Sequence, residues 1–154
     1  MLASDASALK QQLIETAILA LTERIHHAEN AMKEAQESAN QEEKSSAGDK
    51  YETGRAMGQL QRDMNAKQSI LAKKELAFLQ QLNTNPKETI GTGSIVKTAT
   101  AYYFVSIGLG TIDSNQGKVH LISIESPIGK LMNGLKVNDQ FQFLDLVHQI
   151  EFIG

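Results

Sequence analysis

Residues 1 to 47 contain neither proline nor glycine. Across this stretch apolar residues fall at Ile14, Ile18, Leu21, Ile25, Ala28, Met32, Ala35 and Ala39, alternating steps of four and three. That repeat is the seam of a coiled-coil helix. The seam residues are large at the start and mostly alanine toward the end, so a partner helix can approach closely there and the far end is narrow. A second stripe follows Gly48, with Met57, Leu60, Met64, Leu71 and Phe78 at spacings of three, four and seven, and Lys67 and Lys74 between them. Asn83-Thr84-Asn85-Pro86 stops it, because the residue before proline disfavours helix and proline cannot continue one. A parallel homodimer would also bury one seam, but the Ser-Ala-Gly interruption at residues 46–48 argues for a turn and a fold-back into an antiparallel hairpin. Each arm of about 35 residues is roughly 50 Å long, far more than a small core requires.

From about Thr89 the pattern changes. Ser94–Lys97, Thr100–Ile107, Val119–Ile124, Gln140–Leu146 and His148–Ile153 are rich in β-branched and aromatic residues and read as strands. Gly108, Gly110 and residues 113–117 read as turns. Ser126-Pro127-Ile128-Gly129-Lys130-Leu131-Met132-Asn133-Gly134 reads as a short helix with proline in its first turn and glycine after its end. The fold class is therefore α+β: a coiled-coil hairpin over residues 1–85, with an acidic tip near 45–55, then a small, mostly antiparallel β domain with one short helix over 86–154.

The formal net charge is −3 and there is no cysteine. The first excludes nucleic-acid binding of the broadly basic kind. The second removes disulfides, zinc ribbons and thiol nucleophiles together. No apolar run approaches the ~20 residues of a membrane helix and no secretory leader pattern is present, so the expectation is a soluble, cytoplasmic protein, acting as a monomer without contact to a membrane. Residues 1–44 are acidic, whereas residues 45–85 carry six basic side chains against four acidic ones. Opposite charge across a hairpin seam explains this; a basic flank that docks on an acidic partner is the other reading.

The stretch Gly48-Asp49-Lys50-Tyr51-Glu52 places two carboxylates three residues apart near the turn. Residues so spaced share a helix face. One reading is a capping box, with Asp49 accepting from backbone amides and Glu52 reaching back, both favoured by the helix dipole. The other is chemical. Mg²⁺ is held by one or two carboxylates, with water and phosphate completing its shell. Two acids on a narrow tip cannot cage an ion, but they can complete a site in a partner that supplies the rest.

The order of long hairpin, Gly-Asp-x-x-Glu tip and the segment Ser126-Pro127-Ile128-Gly129, followed by Val137-Asn138-Asp139, resembles the Gre transcript-cleavage factors of bacteria from about residue 9 onward. The resemblance implies an FKBP-like C-terminal domain that binds RNA polymerase, with Ser126, Pro127 and Gly129 at the partner surface. It also implies a coiled coil inserted in the secondary channel, and tip acids, here Asp49 and Glu52, that hold a Mg²⁺ shared with the polymerase near the RNA 3′ end. The protein would not be an enzyme itself; it would stimulate the polymerase's own hydrolysis of backtracked RNA. Thr53-Gly54-Arg55-Ala56 departs from the family's sequence after the tip acid, and this bears on cleavage more than on binding. A channel-binding inhibitor without cleavage activity, and a structural interaction module whose acids only cap, are the alternatives.

Other residues carry less. His26 and His27 are adjacent and diverge by about 100° on a helix, so they cannot chelate one ion well. His120 and His148 lie in strands without nearby cysteine or acid clusters. Tyr102, Tyr103, Phe104, Phe141 and Phe143 could stack on bases, but alternation along strands makes them core residues. A proline-isomerase pocket rests on fold analogy only.

Overall fold

The computed structural model describes residues 2–44 and 48–154, with residues 42–44 and 48–51 described by their backbone. Two long helices, α1 (Ala3–Lys44) and α2 (Gly48–Gln80), precede six strands and a short helix. These are β1 (Ile95–Thr98), β2 (Tyr102–Val105), β3 (Gly110–Ser114), β4 (Gly117–Ile122), α3 (Pro127–Met132), β5 (Gln140–Phe143) and β6 (Leu146–Ile153). The α+β architecture expected from the two periodicities is the one observed. The described residues form two compact units, one made of the chain up to Ile18 together with Phe78–Gly154, the other of Leu19–Ala77.

In the first unit the strands form one sheet in the order β3-β4-β2-β1-β6-β5. All neighbouring pairs are antiparallel except β2 and β4, which run parallel with Tyr103 beside His120. Strand alternation sends Val96, Tyr103 and Val105 to one face, where they join Ile90, Met132, Phe141 and Ile150 in a buried cluster. Ile95, Phe104, Val119 and Leu121, on the opposite phase, are equally buried. So are Ala6, Leu9, Leu13 and Ala17 of α1, and Gly154 lies against Ala6. The aromatic residues thus divide as alternation requires: Tyr103, Phe104 and Phe141 are core, while Tyr102 and Phe143 are half-buried. The segment read as turn material around Gly110 is instead strand β3, hydrogen-bonded along β4 from Gly110 opposite Leu121 to Ser114 opposite Gly117. It is an edge strand with one apolar residue, Ile112, so no alternation marks it in the sequence.

In the second unit α1 and α2 run antiparallel. Glu29 Oε1 meets Lys73 Nζ at 2.8 Å, and Arg62 Nη1 donates to Gln36 Oε1, so numbers fall along α2 as they rise along α1. Lys73, by its hydrogen bond and its charge, holds the Glu29 carboxyl below the usual carboxylate range. This is one case of the charge complementarity expected across the hairpin.

The expected α1 seam is turned inward: Leu21 and Ala28 are buried and Ile25, Met32, Ala35 and Ala39 are half-buried. The expected α2 seam is not. Met57 is 67%, Leu60 62%, Met64 56%, Leu71 57% and Phe78 42% exposed. The covered face of α2 is instead Gly54, Gly58, Arg62, Asn65, Ser69, Ala72, Leu76 and Leu79, stepping four and three. The covered stripe is mostly small or polar, so hydrophobicity alone does not decide which stripe faces inward. The larger apolar residues are left on the outer face.

Candidate functional site at the hairpin turn

The midpoint in the chain of the Glu29–Lys73 pair is residue 51, and that of the Gln36–Arg62 pair is residue 49. Extended along the two helices, this pairing reverses the chain next to Asp49 and Glu52. The α2 helix begins at Gly48, so both acids belong to its first turn and a half, three residues apart along it. A capping box with Asp49 at the cap position would need the helix to start two residues later, at Lys50. The Glu52 side chain is exposed; the Asp49 side chain lies outside the described residues, as do Ser45–Ala47. The positive end of the α2 dipole favours carboxylates here.

Behind the acids a cleft of about 120 Å³ lies between the helices, lined by Ala35, Gln36, Ala39, Asn40, Arg55, Gly58, Gln59 and Arg62. Its wall is polar. Gln36 accepts from Arg62 and donates from Nε2 to Asn40 Oδ1 at 3.2 Å. Small residues open this space: Ala35 and Ala39 on α1, Gly58 on α2. The cations Arg55 and Arg62 therefore stand within a few turns of the two carboxylates. Arg62 stands on the inner face in the same stripe as Gly54, Gly58 and Asn65, a position that hydrophobic periodicity does not mark.

Among the described residues no group of three or more histidine, cysteine or acidic side chains converges to hold a metal ion.

Ser126, Pro127 and Gly129 lie together at the start of α3, in the other unit. Ser126 Oγ accepts from the Gly129 amide at 3.1 Å and donates to the Ser123 carbonyl at 2.6 Å, which makes it the N-cap, with Pro127 in the first turn. A Cβ on Gly129 would sit 2.1 Å from the Ser123 carbonyl oxygen, so only glycine fits. Of the three, Pro127 is exposed, Ser126 is half-buried and Gly129 is buried. Asn138, in the turn before β5, has φ 76°, a conformation asparagine adopts more readily than most residues. The Asp139 carboxylate accepts from the Lys136 amide at 2.8 Å and completes that turn. His120 packs on Tyr103 and His148 stacks on Phe141, with ring centroids 5.4 and 5.0 Å apart. Among the described residues no helix is long and apolar enough to cross a membrane.

No known protein-family profile matches the chain, and no curated protein matches it. Among solved structures it is similar to GreA factor homolog 1 (Gfh1) of Thermus thermophilus, at 19% identity and a TM-score of 0.34, over 89% of this chain and 94% of that one. It is similar also to a second structure of the transcription factor Gfh1, at 18% identity and a TM-score of 0.36, over 88% of this chain and 90% of that one.

Proposed function

We propose that this chain is a transcription elongation factor of the Gre type, which binds RNA polymerase and presents the turn of its hairpin to the polymerase active site through the secondary channel. What supports the reading is that Asp49 and Glu52 fall in the first turns of α2, which begins at Gly48 soon after α1 ends at Lys44, with Glu52 open to solvent. The narrow inner seam of alanine and glycine suits passage through a channel. The β domain serves as the anchor on the polymerase, with Pro127 at its surface and Ser126 and Gly129 shaping the helix start behind it.

Asp49 and Glu52 would hold a Mg²⁺ in common with the polymerase, and that ion supplies Lewis acidity and an activated water for hydrolysis near the RNA 3′ end. The chain's own part is to bring two negative charges to the site on a helix and to keep their spacing fixed. It is a cofactor of the polymerase's hydrolysis and not an enzyme, and it works in the bacterial cytoplasm, where the polymerase is.

Backtracked elongation complexes supplied with the wild-type chain release short 3′ fragments. Asp49→Ala/Glu52→Ala lowers that cleavage on the order of 10²-fold, the usual cost of losing a group that stabilises transition-state charge. A double variant as active as wild type removes the carboxylates from the mechanism. The cations Arg55 and Arg62 near the acids favour a second reading, a channel-binding inhibitor. It predicts slowed RNA synthesis with no cleavage product, relieved by Arg55→Ala.

A further inference from the structure

The outer face of α2 bears a second heptad stripe that nothing in the hairpin covers. Met57, Leu60, Met64 and Leu71 fall on it, each more than half exposed, with Ile70 on its flank. Single exposed leucines are ordinary; five large apolar side chains within four turns of one helix are not. Two surface hollows adjoin them. One, of about 450 Å³, is lined by Met57, Leu60, Gln61, Met64, Asn65 and Gln68, and the other, of about 240 Å³, by Arg24, Gln68, Leu71 and Ala72.

We propose that this face is the contact between two copies of the chain, with α2 packed antiparallel against α2 of the second copy about a two-fold axis. The stripe repeats at three and four residues from Met57 to Lys74, which is the pattern a second helix of the same repeat fits. Packed so that one helix's Met64–Leu71–Phe78 row lies against the other's Lys74–Lys67–Leu60 row, the axis falls next to Ser69 and Ile70. Ile70 then meets its own counterpart, Leu71 meets the stem of Lys67, and Met64 meets the stem of Lys74. The two ammonium groups at the rim stand within reach of Glu75 and Asp63 of the other helix, so each copy contributes two cations and two acids in matching places. Parallel packing would instead set Lys67 against Lys67 and Lys74 against Lys74. The contact is isologous and closes at two copies. Covering Leu60, Met64, Ile70, Leu71 and Phe78 of each copy removes on the order of 800–1,000 Å² of apolar surface, to which the lysine stems add. That reaches the smaller specific interfaces. The inference stands apart from the polymerase reading, since it uses neither the acids nor the β domain. If both hold, the dimer is a form in which the hairpin is too thick to enter a channel.

Sedimentation velocity of the full chain between about 1 and 100 µM tests it. The wild type is expected to pass from monomer to dimer as concentration rises. Leu60→Glu/Leu71→Glu is expected to remain monomeric throughout, with its far-ultraviolet circular dichroism unchanged, because both side chains are exposed in the single copy. The chain has no cysteine, so Ile70→Cys provides a second probe: the antiparallel packing yields a disulfide-linked dimer on oxidation. A wild type that stays monomeric over the whole range overturns the proposal, as does a dimer that persists in the double glutamate variant. A dimer that Ile70→Cys fails to cross-link overturns the antiparallel packing. A monomeric wild type whose polymerase binding is lost in the glutamate variant overturns it too, and assigns the face to the polymerase.

Discussion

Lys10 brings an ammonium group into the interior of the first unit. It is 2% exposed, and its Nζ donates to the Thr84 carbonyl at 3.1 Å. Burial, reinforced by the nearby charge of Lys87, lowers its pKa to about 8. In the unfolded chain the same group titrates near its ordinary value of 10.5. Between those values the unfolded state binds more protons, so stability rises with pH from about 8 toward 10 and is lost again as pH falls through 8. The burial of Tyr103, which raises its phenol pKa, acts in the other direction once pH exceeds about 10. Lys10→Met removes the charge while keeping most of the stem's packing. Denaturant unfolding at pH 7 and pH 9.5 is expected to show a wild-type gain of about 1–3 kcal/mol at the higher pH, and little or none in Lys10→Met.

At the scale of the helices, α1 was legible because nothing in 47 residues can break it and its seam is visible at a glance. The α2 helix was legible as a helix but not in its orientation. Hydrophobic periodicity picks out the stripe from Met57 to Phe78, whereas the inner face is Gly54, Gly58, Arg62, Asn65, Ser69, Ala72, Leu76 and Leu79. A pattern read by hydrophobicity cannot tell a seam of small residues from a solvated face. The same limit applies to the candidate site. The Asp49–Glu52 spacing and the choice between cap and ligand were readable, while the cleft behind them was not, because it exists only once the glycines of one helix face the alanines of the other. Gly58 gives this a measurable form. A Cβ built there meets nothing within 4 Å, so Gly58→Ala lowers the entropy of the unfolded chain and raises helix propensity without a clash. Thermal and urea unfolding should show stabilisation of about 0.5–1 kcal/mol; a loss of stability would mean that the backbones close more tightly there than the helix pairing implies.

For the molecule as a whole, the two units differ in how their interiors are filled. The first packs phenylalanine, isoleucine, leucine and methionine on both faces of a sheet. The second closes largely on alanine, glycine, serine and polar side chains, and its Glu29–Lys73 ion pair is exposed to solvent, which screens it. Local opening follows apolar burial. Hydrogen exchange read by mass spectrometry is therefore expected to label amides of Leu19–Ala77 well before those of Ile95–Val105. Equal protection in the two would show that the hairpin draws its stability from something other than its own interior, such as a second copy.

The sheet has a property that bears on how the chain is made. Strand β1 lies in its interior between β2, a few residues later, and β6, which is the last strand in order. While translation proceeds, β1 therefore waits with one side unsatisfied until some forty further residues have emerged. Over that interval the helical arm can already be formed, and a ribosome stalled before Leu146 would hold a finished arm beside an adhesive, half-built sheet.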